Sequence, residues 1–451
     1  MESRSTLTAT LVLLCVIAAQ ADAQTIDLES LEATQSAAHS ALARGDFATA
    51  CKQYEELLGE LPKHPALQRR LSQCLVGLGR FAEAENLYGT LLDEGFGALI
   101  VADPFFEKLA GRPNFAQLRV RAARQAVPIR PALIAFEIPE QRLIAEGVAF
   151  DPGTGRFFVS STYLRKIVVR DSDGRLSDFV PSADHGLLQV LGMKVDSARS
   201  RLVVVTAADD ARLIDFKPGD RGRSGVFSYD LATGRLLQAT WLAEPGIHLF
   251  NDLVLKPDGV AYITDSDAGR IYRLSADGRD LAPITPRGAL FYPNGIDFDP
   301  LRNVLYVAEL RGIFAIDLPT GRLRQLPCAN GISTVAIDGL YLRGQDLIGV
   351  QSIEGFDRVV AFRLSRNGAQ IESGEPLENA DPRLSMATEG VVVGDTLYFV
   401  ANSHQDAVDE RGGIAAPEKT TPTMIMSLAL PRPEPAHQRT MWRRASNRPA
   451  D

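Results

Sequence analysis

The sequence predicts an all-β six-bladed β-propeller preceded by a small all-α domain, and three observations predict it. Residues 27–126 carry no strand pattern and are rich in Ala, Leu, Glu and Gln. From residue 132 the texture changes to short β-rich runs broken by Gly, Pro, Asp and Asn. Within that second part, six stretches share one layout: a head residue, usually followed by Gly or Asp, then a strand, a turn and a second strand. The heads are Glu146, Leu191, Asn251, Asn294, Asp338 and Glu389, and their spacings of 43 to 60 residues suit four-stranded blades.

Ahead of both regions, "MESRSTLTATLVLLCVIAAQADAQ" has Arg4, an apolar run from Leu7 to Ala19 and the small-residue site Ala21-Asp22-Ala23. This is the pattern of a secretory signal peptide over residues 1–23, which predicts a periplasmic or secreted protein. No other run approaches the ~18 apolar residues needed to span a bilayer, so no membrane partner is expected after cleavage. With 45% hydrophobic and 23% charged residues and a net charge of −8, the chain has the balance of a soluble globular protein. It lacks basic stretches interleaved with aromatics, which argues against a nucleic-acid partner. Cleavage leaves Cys51, Cys74 and Cys328, of which only Cys51 and Cys74 share a region, as a disulfide or as two buried thiols.

The helical part (24–126) repeats itself. "ARGDFATACKQYEELL" (43–58) and "GLGRFAEAENLYGTLL" (77–92) align Gly45 with Gly79, Phe47 with Phe81, Ala50 with Ala84 and Tyr54 with Tyr88, each pair 34 residues apart. That period resembles tetratricopeptide repeats. A third segment, 103–125, reads as a degenerate capping helix. Two copies are fewer than the ~3 that normally stand alone. The segment therefore either docks a protein partner or packs as a helical lid on the next domain.

The propeller (132–430) follows. "LIAFEIPE" (133–140) precedes the first head without a hairpin partner, and it is expected to pair with "TMIMSLAL" (423–430), closing the ring and removing an open edge. Residues 404–421 read as a long loop of the last blade, and 431–451 as a Pro- and Arg-rich disordered tail.

In a propeller the innermost strands start on one face beside the axis, so the head side chains converge. Glu146, Asn251, Asn294 and Asp338 then form a cluster of two carboxylates and two amides, with no His or Cys. Two carboxylates forced together in a poorly solvated channel are costly, and a hard divalent cation relieves that cost. All-oxygen ligation favours Ca²⁺, with Mg²⁺ less suited and Zn²⁺ poorly suited. The plainer alternative is a polar channel that holds only water.

The stretches "EGVAF", "FNDLVLKPDG", "YPNGIDFDP" with "LYVAE", and "IDGLYL" resemble the senescence marker protein/gluconolactonase family, regucalcin included, over residues 133–430. The resemblance implies hydrolysis of lactones and related esters with a divalent metal, commonly Ca²⁺ or Zn²⁺, in the channel. It implies metal ligands Glu146, Asn294 and Asp338, with Asn251 touching substrate or water and Asp338 as the base. A metal-bound carboxylate is a weak base, so Glu389 is a further candidate for that role. Ser161, Asp265, Glu309, Gln351 and Asn402, near the ends of second strands, are candidate substrate contacts.

Two departures weaken the resemblance. Leu249 stands where the family's sugar lactonases carry Arg, and Leu191 where paraoxonase-type lactonases carry His. His185 and His248 lie nearby in sequence without a pattern that makes them catalytic. A non-enzymatic propeller that uses its repeats as a binding or assembly module is the alternative function, with a strictosidine-synthase-like condensing enzyme a third.

Overall fold

The architecture was obtained as a computed structural model, and it describes residues 28–208, 212–353, 355–409, 412–414 and 420–432. The predicted leader, nearly all of the predicted tail and part of the 404–421 loop lie outside the described residues.

Six helices come first: α1 (Leu28–Ala43), α2 (Phe47–Glu60), α3 (Pro65–Gly77), α4 (Phe81–Asp93), α5 (Gly97–Val101) and α6 (Phe115–Gln125). The 34-residue repeat sets their geometry. Gly45 and Gly79 hold matching positive φ values of 77° and 75° at the turns into α2 and α4, a conformation open to Gly at little cost. Asp46 caps α2 by accepting the Thr49 amide. The aligned Tyr54 and Tyr88 are fully buried. Gly77 lies so close to the Phe47 ring that a Cβ there would sit 2.4 Å from it. Cys51 and Cys74 are free buried thiols in this core, and Cys328 is also unpaired. Among the described residues no helix is long and apolar enough to cross a membrane.

Each blade is a four-stranded antiparallel sheet. Blade 1 comprises Ala145–Asp151, Arg156–Ser161, Lys166–Arg170 and Leu176–Val180, and blade 2 Gln189–Asp196, Arg201–Ala208, Arg223–Asp230 and Leu236–Trp241. Blade 3 comprises Phe250–Leu255, Ala261–Asp265, Arg270–Leu274 and Leu281–Pro283, and blade 4 Ile296–Asp299, Val304–Glu309, Gly312–Asp317 and Arg322–Gln325. Blade 5 comprises Ile337–Arg343, Asp346–Ile353, Phe356–Leu364 and Ile371–Asn379. Blade 6 takes Gly390–Val393, Thr396–Val400 and Thr423–Ala429 from the end of the chain and its outer strand, Leu133–Ile138, from the beginning. Leu133 pairs with Ser427 and Ile138 with Thr423, which closes the ring as the unpaired 133–140 segment required.

The apolar core is divided among the blade junctions. Phe158, Phe227 and Tyr229 fill the junction of blades 1 and 2, and Phe250 and Tyr272 that of blades 2 and 3. The other junctions are filled in the same way, including blade 6 against blade 1 around Val400 and Phe157. Burial between sheets, and not within one, makes closure of the ring a condition of stability.

The helical repeats share a core with this ring. Phe291, Ile353 and Phe356 of the propeller are buried in the helical core, and Leu310 and Ala336 pack against it. Phe96 meets Phe356 edge-on at 5.9 Å, and the Arg358 guanidinium stacks 4.2 Å from the Phe96 ring while donating to the Gly95 carbonyl. The connecting segment is fastened by reciprocal backbone bonds between Ile129 and Asn379. Of the two arrangements open at the sequence level, the repeats thus occupy the packed one, a lid on blades 4 and 5.

Candidate functional site

The head residues owe their placement to a backbone device. In blades 1, 2, 3 and 5 the pairing of the innermost strand breaks at the head: between Ala145 and Val148, Val190 and Met193, Phe250 and Leu253, and Ile337 and Leu340. A bulge there frees the head from the ladder and turns its side chain toward the axis. The Gly after the head serves the same end. A Cβ at Gly147 would lie 2.8 Å from the Leu191 carbonyl, and one at Gly295 would lie 2.3 Å from the Asp338 carbonyl. Each glycine thus lets its head approach the head of the next blade.

The result is one cavity of about 310 Å³ at the mouth of the channel, lined by Glu146, Leu191, Asn251, Asn294 and Asp338 together. Asn294 Nδ2 donates to Asp338 Oδ1 at 2.5 Å. Asn251 Nδ2 donates to Ser266 Oγ at 3.0 Å, and that hydroxyl donates in turn to the Pro293 carbonyl. Both amide nitrogens are therefore committed to neighbours, which fixes the direction of the amides. Their oxygens, Asn251 Oδ1 and Asn294 Oδ1, are buried without a hydrogen-bond partner. Gln405 donates to Glu146 Oε2, and Thr388 Oγ1 to the Glu146 carbonyl.

The electrostatics are lopsided. Burial, and then the proximity of Asp338, raise the Glu146 carboxyl well above the usual range. Asp338 is pushed up to about 7 by burial, with Asp252 and Asp357 adding to the rise and the Asn294 bond opposing it. Deeper in the channel Asp297 is pushed up to about 6 by burial. Against these carboxylates stands Lys194, whose ammonium pairs with Asp252 at 2.9 Å. Among the described residues no three His, Cys, Asp or Glu side chains gather in a metal-binding arrangement. The donor set here consists of two carboxylates and two amides. Two orphaned amide oxygens beside two carboxylates are a donor set that fits a hard cation.

Glu389 does not line the cavity. It is buried deeper, with Oε1 unpartnered, and its carboxyl is raised by burial and by Asp252. The five second-strand residues also differ from expectation. Only Glu309 lines the cavity. Ser161 donates to the Leu143 carbonyl, Asp265 accepts from the Leu249 amide, Glu309 from the Phe291 amide, and Gln351 donates to the Val335 carbonyl. In four blades a polar side chain at or near the end of the second strand thus pins the backbone two or three residues before a head. Asn402 instead bonds Met424 and Pro422 of its own blade. These residues position the site, since their polar atoms are spent on backbone and on neighbouring side chains, Asp265 on His248, Glu309 on Arg311 and Gln351 on Arg358. His248 is buried against Asp265 at 2.6 Å and His185 is exposed beside Asp184, and neither lines the cavity.

Sequence reasoning missed Lys194, Asp252, Gln405 and His64. Lys194 lies three residues after the head Leu191, the same offset that carries Asp297 after Asn294 and Tyr341 after Asp338. That register was a readable signal for a second layer of channel residues. Asp252 occupies the position that is Gly in the other blades, and its carboxylate accepts Lys194 and the Leu253 and Ile296 amides, tying blades 2, 3 and 4 together.

A family model described as tetratricopeptide repeat matches residues 41–100. A comparison with curated proteins gave no match. Solved structures similar to the chain include a gluconolactonase from Xanthomonas campestris, at 20% identity over 68% of this chain and 93% of that one, with a TM-score of 0.45. Another is regucalcin, a calcium-binding protein of Agrobacterium tumefaciens, at 19% identity over 66% of this chain and 94% of that one, TM-score 0.42. A third is a PQQ-bound aldose sugar dehydrogenase of Streptomyces coelicolor, at 15% identity over 66% and 97%, TM-score 0.44.

Proposed function

We propose that the protein is a metal-dependent hydrolase of a lactone or small ester, working in the channel cavity. One observation carries the reading: Glu146, Asn251, Asn294 and Asp338 line a single cavity, with both amide oxygens buried and unpartnered. Ca²⁺ suits this all-oxygen set best, and Glu146, Asn251 Oδ1, Asn294 Oδ1 and Asp338 are the groups that would hold it. A cation held there supplies Lewis-acid polarisation of the substrate carbonyl.

The chain's own residues account for the rest. Asp338, fixed by Asn294, takes a proton from the water that adds to the carbonyl carbon and returns it to the leaving oxygen as the acyl–oxygen bond breaks, so that the hydroxy acid, or the acid and alcohol of an ester, leaves. Its position in the cavity makes it a better candidate for the base than Glu389. Lys194 and Asp252 hold the channel beneath, and the pinned backbones before the heads keep the donors in register. Export, as the leader predicts, places this chemistry in the periplasm or outside the cell.

The test is metal analysis of purified protein followed by a screen of lactones and small esters, with Asp338→Ala alongside. Wild-type protein is expected to hold a divalent metal and hydrolyse at least one class, and Asp338→Ala to lose both properties. Metal binding with no hydrolysis across the panel favours the non-enzymatic alternative.

A further inference from the structure

Beneath the cavity the channel holds a second group of carboxyl groups, Asp252, Asp297 and Glu389, that take no part in the chemistry proposed above. Asp252 is the common neighbour of the whole set. After burial, its charge adds to the rise of the Glu146, Asp297, Asp338 and Glu389 carboxyls. Buried carboxylates that repel one another in this way are costly without a cation among them.

The sequence supplies one from blade 2. Lys194 Nζ donates to Asp252 Oδ1 at 2.9 Å. Burial acts to lower the pKa of the ammonium, but Asp252, Glu389 and Asp297 outweigh burial and hold it above the ordinary lysine value. The backbone makes room for the pair, since a Cβ at Gly192, two residues before Lys194, would lie 2.7 Å from Asp252 Oδ1.

The oxygens around the ammonium are unequally committed. Asp252 also accepts the Leu253 and Ile296 amides, and Asp297 accepts the Phe298 and Leu342 amides. Glu389 Oε1 is buried without a hydrogen-bond partner, in a residue only 1% exposed. The Lys194 side chain keeps 22% of its surface open against 1% for Asp252, so the position it fills is accessible to water. Without the ammonium, three carboxyl groups and an orphaned oxygen would remain around an accessible position. An all-oxygen set of that charge suits a hard divalent cation.

We infer that Lys194 is the resident cation of the deeper channel: its ammonium stands where a second divalent ion would otherwise bind, so the channel takes one ion, at the mouth, and not two. The inference rests on the reading of the mouth as a cation site. Lys194 is a positioning residue, acting on the mouth through Asp252, whose chain neighbour Asn251 turns its amide into the cavity.

The experiment counts calcium bound per chain, by equilibrium dialysis against saturating CaCl2, for wild type, Lys194→Arg, Lys194→Met and Lys194→Gln. Wild type and Lys194→Arg are expected to bind one ion, and the two uncharged variants to bind two. A lysine that merely packs in the channel predicts the same count throughout. One ion in either uncharged variant, or two in wild type or Lys194→Arg, overturns the proposal. Failure of both uncharged variants to fold in calcium overturns it too, because the ion should take over from the ammonium. No ion in wild type with one in Lys194→Met sustains the deeper position and overturns the cation at the mouth instead, and none in either overturns both.

Discussion

Substituting Asp338 by asparagine should make the metal-free protein more stable while abolishing its response to calcium. Asp338 is pushed up to about 7 from an ordinary 3.8, first by burial and then by neighbouring carboxylates. An acid whose folded pKa lies above its unfolded value binds more protons when folded, so its contribution to stability falls as pH rises from about 4 to about 7. The displacement corresponds to roughly 4 kcal/mol of destabilisation above pH 7 at most. The amide of Asp338→Asn keeps an oxygen for the Asn294 donor and carries no charge, so it removes most of that cost. Thermal melts of chelator-treated protein at pH 5 and pH 8, with and without CaCl2, read the effect. Wild type should melt several degrees lower at pH 8 than the variant, the gap should shrink at pH 5, and calcium should raise the melting temperature of wild type alone. A variant less stable than wild type at pH 8, or one still stabilised by calcium, would refute the electrostatic reasoning.

Three further outcomes follow from the same geometry. Gly295→Ala should lower stability by roughly 1–3 kcal/mol and weaken calcium binding, because the new Cβ meets the Asp338 carbonyl; calorimetry and melting check both. Phe96→Ala removes a buried ring that meets Phe356 edge-on and carries the Arg358 guanidinium on its face, and should cost about 3–5 kcal/mol, with protease cleaving the repeats before the propeller. Calcium affinity should rise about tenfold from pH 6 to pH 8 through Asp338 alone, since the cation needs the ionised carboxylate and the proton competes for it. Calorimetry in buffers of different ionisation heat should register proton release at pH 7.

Much of the propeller was legible because its blades repeat a local signal. The head, its small neighbour and the two following strands recur at blade spacing, and the orphan strand 133–140 had one logical partner in a closed ring. The 34-residue repeat exposed the helices for the same reason. What stayed hidden depended on three-dimensional packing. The second-strand residues were expected to face substrate because they return to the face of the heads. Four of the five side chains turn instead to the backbone before a head, and Asn402 to its own blade, choices that periodicity does not encode. Lys194 reads as an ordinary lysine in a strand until Asp252 of the next blade stands beside it. His64 lies some 80 residues before the first head, and only the docking of the helical core on Phe291, Ile353 and Phe356 brings it to the channel.

The most direct test of the account is diffraction from crystals grown with calcium, or with a lanthanide in its place to give an anomalous signal. The account predicts one strong peak at the channel mouth, about 2.3–2.6 Å from oxygens of Glu146, Asn251, Asn294 and Asp338. A peak elsewhere, or none at saturating calcium, would contradict it.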